Sequence, residues 1–218
     1  MTGSFDAVLF DFGGVIVSSP FDLLGTAGMG SGADPEAVLE LLMGDYAEDT
    51  DHPWHRMERG EMELADFGRD LVTRAEAAGI ALDFSAMRSF YGELAVRDAM
   101  VDVVRRLRSD GYRTALVTNN VREFGDTWRA MVPLAELFDV VVDSCEVGMR
   151  KPNPAIYHHT LAALGDVAPE RAVFLDDAPG NVDGARRAGL AAILVDDPDE
   201  AIEALWELLE DGRAPTGT

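Results

Sequence analysis

Ala7-Val8-Leu9-Phe10-Asp11-Phe12-Gly13-Gly14-Val15-Ile16 decides how the rest of this 218-residue chain is read. Four apolar residues in a row, with no polar alternation, are the pattern of a strand buried on both faces, as in a parallel sheet. The run stops at Asp11, and Gly13-Gly14 marks a tight turn. Outward from this stretch the pattern recurs. Residues 113–117 lead into Thr118-Asn119-Asn120, 138–142 into Asp143-Ser144, 172–175 into Asp176-Asp177, and 191–195 into Asp196-Asp197-Pro198. Helical periodicity fills the intervals at 100–109, 122–131, 154–164, 181–188 and 200–209. Strand and helix in alternation predict an α/β fold, a Rossmann-like doubly wound parallel sheet with right-handed crossovers.

Between residues 20 and 97 the alternation stops. Helices are expected at 35–42 behind an Asp34 cap, at 64–78 after Gly60 and at 84–96, with turns at Gly28-Met29-Gly30 and at Gly79. An all-helical stretch of this length after the first strand reads as an inserted cap. The expected division is therefore a catalytic core of residues 1–17 and 98–218 and a helical cap of residues 18–97, with 213–218 as a frayed tail.

Composition narrows the partners. Hydrophobic residues are 47% and charged residues 27% of the chain, as in an ordinary globular protein. The 40 acidic residues against 18 basic ones give a net charge of -22, which repels nucleic acid and anionic membrane alike, so neither is expected as a partner. No run of 18 apolar residues occurs, and the first 17 residues, interrupted by Asp6 and Asp11, do not read as a signal peptide. The single cysteine, Cys145, fits a reducing compartment, and the expected location is cytoplasmic. Of the 18 basic residues only Lys151 is a lysine.

Ligands of open α/β sheets bind beyond the carboxyl ends of the strands. Asp11, Thr118, Asn119, Asp176 and Asp177 fall there, with Lys151 in the loop Gly148-Met149-Arg150-Lys151-Pro152. Three converging carboxylates call for a cation, and hard oxygen donors point to Mg²⁺. Thr118 and Lys151 would face an anionic group opposite it, a compact ammonium being the kind of charge that suits phosphate. A carboxylate nucleophile attacking phosphorus beside a divalent ion and a lysine is the aspartyl-phosphate route. Two structural readings stand beside this one: Thr118 and Asn119 as caps of a helix starting near Val121, and Asp177 as the N-cap of the helix at 179–188. In the cap, His55 and Arg56, beside His52 and Trp54, are candidates for substrate contact, with a surface cluster or core anchor as the alternative. Arg150 is expected to tolerate exchange to lysine.

The ordered set of motifs resembles the haloacid dehalogenase superfamily. Its first motif is similar to Val8-Leu9-Phe10-Asp11-Phe12-Gly13-Gly14-Val15-Ile16, its second to Leu116-Val117-Thr118-Asn119, and its third to Gly148-Met149-Arg150-Lys151-Pro152-Asn153-Pro154. The fourth resembles Val173-Phe174-Leu175-Asp176-Asp177-Ala178-Pro179-Gly180-Asn181, and the insertion after motif one resembles a C1-type cap. The resemblance implies that Asp11 is nucleophile and metal ligand, that the Gly13 carbonyl and Asp177 are further Mg²⁺ ligands, and that Asp176 orients metal-bound water. It further implies that Thr118, Asn119 and Lys151 bind a small phosphorylated metabolite. The subgroup it looks closest to contains the phosphatase domain of soluble epoxide hydrolases and the sugar-phosphate phosphatases.

One position departs from that pattern. Phosphatases of the family usually carry a second Asp, a general acid and base, two residues after the nucleophile, and here Gly13 stands there. The alternatives are a metal-independent dehalogenase, which lacks that Asp, and a catalytically weak binding or regulatory protein of the same fold. The acidic pair favours the phosphatase. Protonation of the leaving group would then fall to water or to a cap residue such as His55, and Gly13 itself is a candidate for a positive φ.

Overall fold

The computed structural model describes residues 5–19, 34–82 and 94–212. Five strands are present: β1 (Ala7–Phe10), β2 (Arg113–Thr118), β3 (Val140–Asp143), β4 (Ala172–Asp176) and β5 (Ala191–Leu194). They form one sheet in the order β3-β2-β1-β4-β5, and every pairing is parallel. β1 is central, with Phe10 in register with Leu116 on one side and Leu175 on the other. Successive side chains of a strand point to opposite faces, and the two faces are both covered. Val8, Phe10, Leu116, Val173 and Leu175 pack on one, Ala7, Leu9, Ala115, Val117 and Phe174 on the other. With no solvent side to serve, β1 has no polar position.

After β1 the chain makes a turn at Phe12–Ile16 and pairs Val17 antiparallel with Val96. Ser18 N–H donates to the Ala95 carbonyl at 2.8 Å and Arg97 N–H to that of Ile16 at 2.9 Å, so the outgoing and returning segments lie side by side. Between them are α1 (Pro35–Met43), α2 (Pro53–Glu58) and α3 (Leu64–Ala78). Val38, Leu42, Met57, Phe67 and Leu71 give this helical segment its own apolar core, which Val121 and Phe124 of the sheet domain join. Asp34 caps α1 by accepting from Glu36 N–H at 3.2 Å, and Gly79 at φ 69 ends α3 in the left-handed region.

The sheet domain continues with α4 (Asp98–Ser109), α5 (Gly125–Arg129), α6 (Leu134–Leu137), α7 (Ser144–Val147), α8 (Pro154–Ala163), α9 (Pro179–Arg187) and α10 (Pro198–Asp211). Met100, Val104 and Leu107 of α4 and Leu205 and Leu209 of α10 cover one face; Ile156, Tyr157 and Leu161 of α8 and Ala185 of α9 cover the other. Burial of each of the larger aliphatic side chains among these contributes about 1.5–3 kcal/mol.

Two expectations need correction. The helix expected at 122–131 is a 3-10 turn at Arg122–Phe124 followed by the short α5, because Gly125 interrupts the helical preference. The helix expected at 84–96 falls largely outside the described residues, and its last part is extended, since Val96 is in a β-bridge. The turn expected at Gly28-Met29-Gly30 also lies outside the described residues. α2 was not expected at all: six residues are too few to show a period, and its N-cap is His52, whose Nδ1 accepts from Trp54 N–H at 3.2 Å.

Candidate active site

Parallel strands deliver their carboxyl ends to one edge of the sheet, and there β1 gives way to Asp11 while β2 and β4 end in Thr118 and Asp176. Asp11, Asp176 and Asp177 each offer an oxygen, all within 4.8 Å of one another. Like charges at that spacing repel by about 3 kcal/mol per pair at an effective dielectric of ~20. Among the described residues one cation enters this cluster: Lys151 Nζ lies 2.6 Å from Asp11 Oδ1 and 2.7 Å from Asp176 Oδ2, fully buried over the Phe174 ring. Burial works against its ammonium, but the Asp11 and Asp176 carboxylates outweigh burial and raise its pKa above the ordinary lysine value.

A single ammonium leaves two of three carboxylate charges unbalanced. Burial first, and then the neighbouring carboxylates, push Asp11 well above the usual carboxyl range despite Lys151, and push Asp177 up to about 6. A divalent cation would reverse both shifts. The donor set is oxygen only, with no imidazole or thiolate in the cluster, which fits Mg²⁺.

The two members of the acidic pair differ in how they are held. Asp176 Oδ1 accepts from Ala178 N–H at 2.8 Å and from Asn181 Nδ2 at 3.0 Å, while Oδ2 accepts from Lys151 and, at 3.1 Å, from the same Asn181 amide. Asp176 is thus fully engaged by protein groups. Asp177 accepts from Ser19 Oγ at 2.7 Å and lies over Gly14, where a Cβ would sit 1.9 Å from Asp177 Oδ2. Gly14 also has φ 73, so the turn needs a glycine there twice over. Gly13, by contrast, has φ −69 and ψ 137, open to any residue, which corrects the positive φ expected of it.

The loop carrying Lys151 is clamped on both sides. Asn119 Oδ1 accepts from Lys151 N–H at 2.8 Å and Asn119 Nδ2 donates to the Lys151 carbonyl at 3.0 Å. Asn119, expected to bind substrate, holds the backbone of the lysine in place. Arg150 points the other way, into the cap. Its Nε donates to Glu58 Oε2 at 2.7 Å, its Nη1 to the Glu48 carbonyl at 2.6 Å, and both Arg150 and Glu58 are buried. Glu58 Oε1 in turn accepts from Trp54 Nε1 at 2.9 Å and from the Tyr46 hydroxyl at 3.1 Å. The Arg150 guanidinium also lies 5.0 Å from the centre of the Tyr46 ring. The expectation that Arg150 tolerates lysine is overturned, because an ammonium cannot reproduce this set of bonds.

Neither cap candidate meets the cluster in a contact. His55 is wholly buried among cap residues, its Nδ1 accepting from Thr50 N–H at 3.1 Å, and burial, then the Arg150 charge, lower its pKa to about 4. Arg56 faces Asp51 at 3.8 Å and Glu61 at 4.0 Å with its side chain 41% exposed. Core anchor and surface pair are the structural roles of the two. The capping alternatives also fail: the turn near Val121 is capped by neither Thr118 nor Asn119, and α9 starts from Ala178 with no side-chain cap from Asp177. Sequence reasoning assigned no role to Ser19, Tyr46, Glu58, Arg150 or Asn181. Only Asn181 carried a local signal, since it closes the fourth motif.

Residues 5–189 match the sequence profile of the haloacid dehalogenase-like hydrolases. The chain is 33% identical over 212 residues to acyl-CoA dehydrogenase family member 10 of Mus musculus, covering 94% of this chain and 19% of that protein. It is 34% identical over 137 residues to phosphatase MT3486 of Mycobacterium tuberculosis, covering 62% of this chain and 57% of the other. A solved enzyme from Bacteroides thetaiotaomicron, in complex with magnesium and inorganic phosphate, shares the fold with a TM-score of 0.58 at 20% identity, over 87% of this chain and 93% of that one. The chain thus spans about a fifth of the first of these relatives.

Proposed function

The chain belongs to the haloacid dehalogenase-like hydrolases, and from that premise we propose that it is a Mg²⁺-dependent phosphatase of small phosphomonoesters. Residues 1–17 and 98–218 are the catalytic core in this reading, and 18–97 the cap that covers it. Asp11 is the nucleophile, forming an aspartyl phosphate; Thr118 donates its hydroxyl to the phosphoryl group; Lys151 neutralises that group and fixes Asp11. Asp11, Asp177 and the Gly13 carbonyl would hold Mg²⁺, with Asp176 orienting its bound water. When bound, the ion would neutralise the charge that builds on the phosphoryl oxygens.

The observation that carries this reading is the cluster of three carboxylates within 4.8 Å, closed by a buried lysine 2.6 Å from Asp11. A metal-independent dehalogenase has no use for such a cluster, which is why the phosphatase reading is preferred over it and over a non-catalytic protein of the same fold. Hydrolysis of 4-nitrophenyl phosphate in Mg²⁺, its loss in excess chelator and its abolition by Asp11→Asn test the proposal together. Turnover that survives the chelator, or Asp11→Asn, would overturn it.

A further inference from the structure

A metal binds most tightly to ligands already turned toward it, and what turns them is the set of hydrogen bonds one layer further out. The three carboxylates of the cluster differ in this respect. Asp11 and Asp176 share the Lys151 ammonium at 2.6 and 2.7 Å, and Asp176 also accepts from Ala178 N–H and from the Asn181 amide. Asp177 forms no ion pair among the described residues, and Asp11 and Asp176 repel it from within 4.8 Å. It is only half-buried, so solvent lies within reach of its side chain. Among the described residues a single side chain bonds it against that repulsion: Ser19, whose Oγ donates to Asp177 Oδ2 at 2.7 Å.

The backbone brings Ser19 to this point. Val17 is extended and bridged to Val96, Ser18 N–H donates to the Ala95 carbonyl at 2.8 Å, and Ser18 Oγ accepts from Ala95 N–H at 3.1 Å. Successive side chains of an extended segment point opposite ways. With Ser18 turned to the returning segment, Ser19 is turned away from it, onto the carboxylate. Gly14, earlier on the same stretch, has no side chain to keep Asp177 out, since a Cβ there would sit 1.9 Å from Oδ2. The segment that follows Asp11 therefore receives Asp177 at two points: Gly14 makes the room, and Ser19 fixes the rotation.

We propose that Ser19 is a positioning residue for metal binding: its hydroxyl holds the Asp177 carboxylate in the orientation that receives Mg²⁺, and so sets the affinity for the ion. This rests on the reading of Asp177 as a Mg²⁺ ligand in the preceding subsection. The hydroxyl touches Asp177 alone in this cluster and has no part in phosphoryl transfer. Its effect falls on affinity rather than on turnover, because a carboxylate already bound to the ion needs no second restraint.

Titration calorimetry of the substrate-free protein with magnesium chloride reads this affinity without turnover. Ser19→Ala removes only the hydroxyl and is expected to raise the dissociation constant about 10–100-fold, the range for groups that orient a metal ligand. Ser19→Thr keeps the hydroxyl and is expected to restore most of the affinity. With 4-nitrophenyl phosphate, the Mg²⁺ concentration for half activity should rise in Ser19→Ala by the same factor, while kcat at saturating Mg²⁺ and KM for the ester stay at wild-type values. An unchanged dissociation constant in Ser19→Ala overturns the proposal. So does a fall in kcat that saturating Mg²⁺ does not recover, which marks a general disturbance of the site. Ser19→Thr as weak as Ser19→Ala shows that packing matters and the hydroxyl does not, and overturns it too. A wild type that binds Mg²⁺ in the calorimeter but hydrolyses no ester loses the phosphatase reading, while a weakened Ser19→Ala still upholds the role of Ser19. A wild type that binds no Mg²⁺ loses both.

Discussion

Gly14 and Arg150 show how much of the site is settled by single residues. Gly14→Ala places a methyl group 1.9 Å from Asp177 Oδ2 at a backbone φ of 73, so Asp177 must move. Activity is expected to fall by about 10²-fold or more, the scale on which an ångström of misplacement acts, with a matching rise in the Mg²⁺ concentration needed for half activity. A variant with unchanged metal dependence would contradict this. Gly13→Asp meets no backbone obstacle at φ −69, and the carboxyl group is expected to flatten the dependence of kcat/KM on leaving-group pKa, read on a series of substituted phenyl phosphates in Mg²⁺. Arg150→Met leaves Glu58 buried without its partner and should cost about 3–5 kcal/mol in urea unfolding. Asp11, Asp176, Asp177 and Lys151 could be read from the sequence because each sits at a strand end or in a loop of recognisable composition. Glu58 could not: its partner Arg150 is 92 positions away, and pairings across such distances leave no local pattern.

At the scale of elements, legibility follows length and periodicity. All five strands were readable because a buried parallel strand is a short unbroken apolar run, and α3 was readable end to end because it lasts 15 residues and closes on Gly79. α2 and the loop before it escaped, yet they carry the docking of the cap: Ala47 lies against Gly180, Asp49 accepts from Asn153 Nδ2 at 3.1 Å, and Glu58 receives Arg150. His55 belongs to this element, and its pKa of about 4 lies below the unfolded value of ~6.5. Between those values the unfolded chain binds the extra proton. The stabilisation from keeping His55 neutral is therefore whole above about pH 6.5 and is lost as pH falls toward 4. The melting temperature is expected to drop across that window, and imidazole carbon shifts in NMR should show His55 neutral at pH 5. A His55 that titrates near 6.5 would refute the burial argument.

Over the whole molecule, a net charge of -22 makes cation binding a matter of stability as well as chemistry. Mg²⁺ at about a hundred times its dissociation constant stabilises by about 2.7 kcal/mol, or roughly 5–10 °C in melting temperature for a chain of this size. Asp177→Asn, which removes a carboxylate from the cluster, is expected to raise the metal-free melting temperature and to shrink that increment; scanning calorimetry with and without Mg²⁺ measures both. The overall architecture was visible in the sequence because alternation of strand and helix is a global pattern. The seating of cap on core was not, since it depends on which surfaces happen to meet. The solitary lysine has a practical corollary. With its one ε-amine buried over the Phe174 ring and shared by two carboxylates, the native protein presents acylating reagents with no lysine to label. Acylation of Lys151 is then a clock for opening of the active site: each modified molecule, counted by mass spectrometry, records one excursion from the closed state.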